Sequence, residues 1–234
     1  MVRRAILVVL AVVVTACGAD QPSGPLRTSA DVARGAALEV RANGCGPRRG
    51  FGTASLVSDH LAVTAAHVVA GASSVAVIDQ HRIEHVAEVV HFDPDLDVAV
   101  LRLPNQLGTP ATLSSTPVKV GDAAALTVFR ASADDRGPTD LNVEVVRRAN
   151  VATTDIYLEG EVLRPGFEIT GTIVPGDSGA LVVLDGVGVG VLWARSTANE
   201  GRSWVVNIPG ILRGENIETE PLLSERVGTG DCIR

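Results

Sequence analysis

The sequence predicts an all-β protein, a barrel or a sandwich assembled from many short strands. Two observations carry this. Short Val-, Ala- and Leu-rich runs recur along the chain, broken by turn residues. No long stretch repeats its apolar residues with the helical period. With 234 residues there is room for one large all-β domain or two small ones. The chain is 46% hydrophobic but only 3% aromatic, so Val, Leu, Ile and Ala must fill the core.

The first element is a targeting signal. Arg3 and Arg4 precede an uncharged apolar run over residues 5–16, which ends at Cys17. Twelve residues are too few to cross a bilayer as a helix, which takes about 20. The junction Val14-Thr15-Ala16-Cys17 has the form of a bacterial lipobox, predicting a lipoprotein signal peptide over 1–16 and lipidation of Cys17. The alternative is an ordinary secretory leader. In the first case the protein is exported and anchored to the outer face of the cell membrane; in the second it is secreted. Residues 17–35, punctuated by Pro22, Gly24 and Pro25, read as a flexible tether.

From there the predicted strands cover 36–40, 52–57, 61–65, 74–78, 83–91 and 98–101, with a short helical turn after residue 65. Residues 102–117 hold three prolines and little periodicity, and read as a crossing between two halves. A second set of strands follows at 118–129, 141–149, 155–162, 167–174, 180–184, 186–193 and 203–208, and a polar tail occupies 213–234. Cys45 and Cys232 form an even pair in an exported chain and are expected to be a disulfide. Formal charge is −7, and becomes −9 once Arg3 and Arg4 leave with the leader. Such a balance argues against nucleic acid as a partner, because the phosphate backbone needs clustered positive charge. Membrane attachment is expected only through Cys17.

Three motifs carry chemistry, in the order His, Asp, Ser. A strand of small and branched residues, 61–65, leads into His67, giving a base a rigid mount. Asp97 heads the apolar strand 98–101, where a carboxylate is placed to accept the proton-bearing nitrogen of His67 and fix its tautomer. Asp93 and Asp95 read as turn residues, and His60, His81, His85 and His91 lie outside any such motif. Pro175-Gly176-Asp177-Ser178-Gly179 is a tight turn that lets the backbone N–H groups of Gly176 and Ser178 converge as an oxyanion hole beside the Ser178 nucleophile.

Together Thr64-Ala65-Ala66-His67, Asp97-Val98-Ala99-Val100-Leu101 and Gly176-Asp177-Ser178-Gly179 resemble the trypsin-like, chymotrypsin-fold serine protease superfamily. Gly50-Phe51-Gly52-Thr53-Ala54, His67-Val68-Val69-Ala70-Gly71 and Phe92-Asp93-Pro94-Asp95-Leu96-Asp97 are more similar to bacterial periplasmic proteases of the HtrA/Deg and mycobacterial acid-resistance type than to digestive enzymes. Neither a PDZ-like module nor a transmembrane bundle is expected. The resemblance implies two antiparallel six-stranded β-barrels, about 36–103 and 118–212, with the active site in the cleft between them. It implies cleavage of a protein or peptide through an acyl-enzyme, with no cofactor and no metal. By the same resemblance Thr172 lies at the base of the substrate pocket, and Trp193, Ala194, Arg195 and Ser196 form a wall. With no acid at Thr172, small or medium apolar side chains are expected before the scissile bond. Ala180 stands where the family usually has a second glycine, and no activation peptide provides a freed amine, so Asp177 needs another partner. The competing function is a catalytically silent, protease-like lipoprotein that binds a peptide or a wall component.

Overall fold

The computed structural model describes residues 27–46, 49–130, 137–207 and 225–233. The signal peptide, Cys17 and most of the tether lie outside these residues, as do 208–224. Among the described residues no helix is long and apolar enough to cross a membrane.

Among the described residues twelve strands form two antiparallel barrels, as the resemblance implied. The first contains β1 (Ala37–Asn43), β2 (Gly50–Leu56), β3 (Leu61–Thr64), β4 (Ser74–Ile78), β5 (Glu84–Asp93) and β6 (Val98–Arg102), in the spatial order β1-β2-β3-β6-β5-β4, closed by β4 on β1. The second contains β7 (Ala123–Phe129), β8 (Pro138–Thr154), β9 (Glu161–Thr170), β10 (Leu181–Leu184), β11 (Val187–Arg195) and β12 (Arg202–Asn207), in the order β10-β11-β12-β9-β8-β7, closed through the pair Val183 and Ala125. Each barrel has its own core of small aliphatic side chains. Closure removes the free strand edges that an open sheet would expose.

Three local readings are corrected by the structure. Residues 28–35 do not continue the tether: α1 (Ser29–Ala36) starts at a capping box in which the Thr28 hydroxyl accepts from the Asp31 N–H, and the Asp31 carboxylate accepts from the Thr28 N–H. A threonine followed three residues later by an acid is a helix start. Val32, Ala33 and Ala36 are buried, and Arg34 donates two bonds to Asp140 of β8, 2.9 and 2.7 Å, so the helix is fastened to the second barrel. The strand expected at 155–162 is largely a turn, because the Asp155 carboxylate accepts from the N–H groups of Tyr157 and Glu159 and Leu158 takes φ 64°. Likewise β7 begins at Ala123 rather than at residue 118: Asp122 accepts from the Lys119 N–H and closes a turn there.

The β8–β9 hairpin is long. Its register with β12 starts only at Gly166, so residues 161–165 pair with β8 alone and extend beyond the barrel. At the tip, Ile156 enters the core of the first barrel and its N–H donates to the Pro94 carbonyl, 3.2 Å away. The hairpin therefore grips the loop between β5 and β6.

Residues 225–233, part of the polar tail, lie along the first barrel. Val227 N–H donates to the Val89 carbonyl, the Gly71 N–H donates to the Thr229 carbonyl, and a Cys45–Cys232 disulfide with Cα atoms 5.5 Å apart fastens the end. This bond closes a separation of 187 residues. In the chain-entropy model a loop of this length contributes up to about 5 kcal/mol. Replacing both cysteines by serine is expected to lower the urea-unfolding free energy by roughly 2–5 kcal/mol, and a variant as stable as its oxidised parent would remove the tail from the list of stabilising elements.

Candidate active site

His67 and Asp97 meet across 30 residues of sequence. β3 ends at Thr64, and His67 stands on a helical turn, α2 (Ala66–Val69), packed against the first barrel. Asp97 occupies the last position before β6 at φ 60°, a left-handed conformation that aspartate tolerates better than most residues. There Asp97 is buried, 3% exposed, and its carboxylate takes the backbone nitrogen and one ring nitrogen of the histidine: Oδ1 accepts from the backbone N–H at 2.9 Å and Oδ2 lies 2.8 Å from Nδ1. A proton on Nδ1 leaves Nε2 unprotonated, the tautomer a base needs.

The ring's acidity follows from three competing causes. Burial lowers its pKa, the charge and hydrogen bond of Asp97 raise it by more, and Arg164 takes back a smaller part. The result lies above the ordinary histidine value. A base works only when neutral, so the reaction is expected to be lost as pH falls through a midpoint above roughly 6.5. The rate of Ser178 modification against pH checks this, and an acid limb centred below 6 would contradict it.

Ser178 reaches the first barrel through its backbone. Val174-Pro175-Gly176-Asp177 is a type II turn, with Asp177 N–H donating to the Val174 carbonyl at 3.0 Å and Gly176 at φ 104°. A side chain at Gly176 would meet the Phe129 carbonyl at 2.2 Å, so only glycine fits. At φ 91°, Gly179 lies so close to Thr53 and Thr64 that a Cβ would come within 2.1 Å of the Thr53 carbonyl. The Ser178 carbonyl accepts from the Thr53 N–H at 2.9 Å, while the Thr53 hydroxyl donates to the Gly176 carbonyl at 2.8 Å. Since the Thr64 hydroxyl donates to the Thr53 carbonyl, one buried threonine joins the serine turn to the strand leading to His67. The N–H groups of Asp177, Gly179 and Ala180 are spent on the carbonyls of Val174, Leu192 and Asp177. Those of Gly176 and Ser178 have no acceptor among the described residues, the arrangement an oxyanion hole requires.

The partner that Asp177 needed is Arg130, just after β7. Its Nε and Nη2 each donate to one carboxylate oxygen at 3.0 Å, and the Val174 N–H donates to the second oxygen, also at 3.0 Å. Asp177 is fully buried. The methyl of Ala180 is accommodated inside the second core.

The remaining expected residues gather around β11. Trp193 and Ala194 are half-buried on that strand, Arg195 is exposed at its end and Ser196 is buried just beyond. Thr172 is exposed; next to it, the Gly171 carbonyl accepts from the Ser203 hydroxyl at 2.7 Å. Beside His67 a cleft of about 360 Å³ is bordered by Asn43, Arg49 and the Cys45–Cys232 bond. Sequence reasoning missed Thr53, Arg130 and Arg164. Thr53 lay within a motif already quoted for the family, but the two arginines had no local signature.

Comparison with known proteins shows the family and the fold. Residues 52–191 match the trypsin-like peptidase domain, and the chain belongs to that family. Serine protease Rv3671c of Mycobacterium tuberculosis is 29% identical over 187 residues, 78% of this chain and 45% of the relative. The chain thus spans about half the length of the curated relatives it matches. The active-form crystal structure of the Rv3671c protease superposes with a TM-score of 0.78 at 24% identity, covering 88% of this chain and 89% of that one. An HtrA-type protease, AlgW, with a tripeptide gives 0.65 at 22% identity, covering 77% and 58%. Both likenesses establish the double-barrel fold.

Proposed function

We propose that this chain is a serine endopeptidase of the bacterial cell envelope that cleaves proteins or peptides through an acyl-enzyme. The observation that carries the reading is the Asp97 carboxylate holding the backbone N–H and Nδ1 of His67, with a Gly-Asp-Ser-Gly turn locked against the same barrel. Ser178 Oγ attacks the scissile carbonyl carbon as its proton passes to His67 Nε2, and the N–H groups of Gly176 and Ser178 receive the developing oxyanion. His67 then returns the proton to the leaving amine, and water repeats the sequence on the acyl-enzyme.

Thr172, Trp193, Ala194, Arg195 and Ser196 border the site of the residue before the scissile bond. With no carboxylate among them to hold a basic side chain, small and medium apolar residues are preferred there. The Cys45–Cys232 bond supports an oxidising compartment, and lipidation of Cys17 anchors the protein outside the membrane.

The deciding experiment is labelling of the chain from Gly18 onward with a fluorophosphonate, beside Ser178→Ala and His67→Ala. Labelling confined to the parent supports an activated nucleophile. A folded, oxidised parent that stays unlabelled would instead favour a silent binding protein. A peptide library then reads specificity, and cleavage strictly after arginine would refute the apolar preference.

A further inference from the structure

Arg164 is the one arginine among the described residues that is almost wholly buried, with 3% of its surface exposed, and no carboxylate forms an ion pair with it. It stands on the part of β9 that extends beyond the second barrel. Its guanidinium donates through Nε to the Asp95 carbonyl at 2.6 Å, and through Nη2 to the carbonyls of Pro94 at 3.3 Å and Thr154 at 3.2 Å. The same group lies over the ring of Trp193, 4.3 Å from its centroid. Burying a guanidinium is costly, and three neutral carbonyls and an aromatic face offset only part of that cost. An aliphatic residue would fill the space but would take this donor from three carbonyls, so the guanidinium does more than pack.

What surrounds it indicates the purpose. Two of the three carbonyls belong to the loop that ends at Asp97. The charges facing the guanidinium are Asp93, Asp95 and Asp97 from the loop between β5 and β6, and Asp155 from the hairpin turn. His67, on α2, faces Asp97 and Arg164, and shares its cleft with Arg49. Trp193, on the other side, is a wall of the substrate pocket. Arg164 therefore spans the distance from the pocket wall of the second barrel to the acid loop of the first.

We propose that Arg164 is a positioning residue: it clamps the Asp97 loop of the first barrel to the Trp193 wall of the second, and sets a fixed positive charge beside the loop that carries the Asp97–His67 pair. Resting on the serine endopeptidase reading, this adds a cation to the site that no sequence motif marks. Asp97 alone would hold His67 protonated to a higher pH, where it cannot act as a base, and Arg164 counters that cost of a good orienting carboxylate. The guanidinium reaches the three carbonyls from two nitrogens held in one plane, a spread that the single nitrogen of an ammonium does not reproduce.

The test separates charge from shape and needs no catalysis for its main readout. The ring signals of the 5 histidines are titrated by NMR in the parent, Arg164→Gln and Arg164→Lys, with His67 assigned by its loss in His67→Gln. Arg164→Gln keeps amide donors but no charge, and is expected to move the His67 midpoint to higher pH; Arg164→Lys keeps the charge and the parent midpoint. An unchanged midpoint in folded Arg164→Gln, or equal movement in both variants, would overturn the electrostatic role. The lysine variant also tests the clamp, even if the glutamine variant does not fold. Above the acid limb its fluorophosphonate reaction is expected to slow by roughly tenfold to a hundredfold, the penalty for a misplaced reacting group, and a rate equal to the parent's would overturn the clamp. A parent that titrates normally yet never labels would count against the endopeptidase reading and leave this one standing.

Discussion

Asp97→Asn is expected to lower kcat by about 10⁴-fold with little change in KM. The carboxylate accepts twice from His67, once from the backbone N–H and once at Nδ1. An asparagine has only one oxygen to offer. If that oxygen keeps the backbone bond, the amide nitrogen faces Nδ1 and donates to it, and the ring proton moves to Nε2. A histidine in that tautomer has no lone pair directed at Ser178. The fold should survive, because asparagine is as much at home as aspartate at φ 60°, so a loss of structure would not explain the loss of rate. The sign of the pH effect is a second check: the Asp97 charge raises the pKa of His67, so the residual activity of Asp97→Asn should persist to lower pH than the parent's. An acid limb that stayed in place would mean that Asp97 orients the ring without setting its charge.

What the sequence revealed and what it hid differ by the range of the interaction. His67, Asp97 and Ser178 were legible because each sits in a local pattern that backbone geometry demands. A strand delivers the histidine, an acid heads a buried strand, and glycines permit φ 104° and 91° on either side of the serine. The alternation of apolar runs with turn residues likewise gave the strands. Residues 155–162 were misread because Ile156 and Tyr157 look like strand residues, whereas Asp155 captures two N–H groups and bends the chain. Helix α1 was missed because Pro22, Gly24 and Pro25 set the tone of the segment and hid the Thr28–Asp31 cap just beyond them. Arg130 and Arg164 were invisible for a different reason. The partner of Arg130 lies 47 residues away, and two of the three carbonyls that hold Arg164 lie 69 and 70 residues away, and nothing beside an arginine in sequence tells whether it will meet water, a carboxylate or three carbonyls.

Arg130→Met should then unfold the serine turn before it unfolds the protein. Asp177 has no exposed surface, and Arg130 meets both of its oxygens in a parallel fork. Removing one partner of a buried pair costs about 3–5 kcal/mol, since the remaining charge keeps its desolvation penalty. For a domain of this size that corresponds to a Tm lower by roughly 10 °C. The stranded carboxylate can relieve the penalty by turning towards solvent, but it belongs to the type II turn that aims the Gly176 N–H, and its bond from the Val174 N–H would go with it. The expected consequence is the loss of one oxyanion donor, a fall in kcat of about 10²–10³. Arg130→Met with Asp177→Asn separates the two effects. The neutral amide removes the buried charge and still accepts from the Val174 N–H, so stability should return nearly to the parent's, and the rate should recover as far as the turn does. If the double variant were as unstable as Arg130→Met alone, the arginine would be acting through its packing and not through the ion pair. If Arg130→Met kept the parent's kcat, the turn would be held by Thr53 and Gly179 against the first barrel, and Asp177 would be a bystander to the oxyanion site.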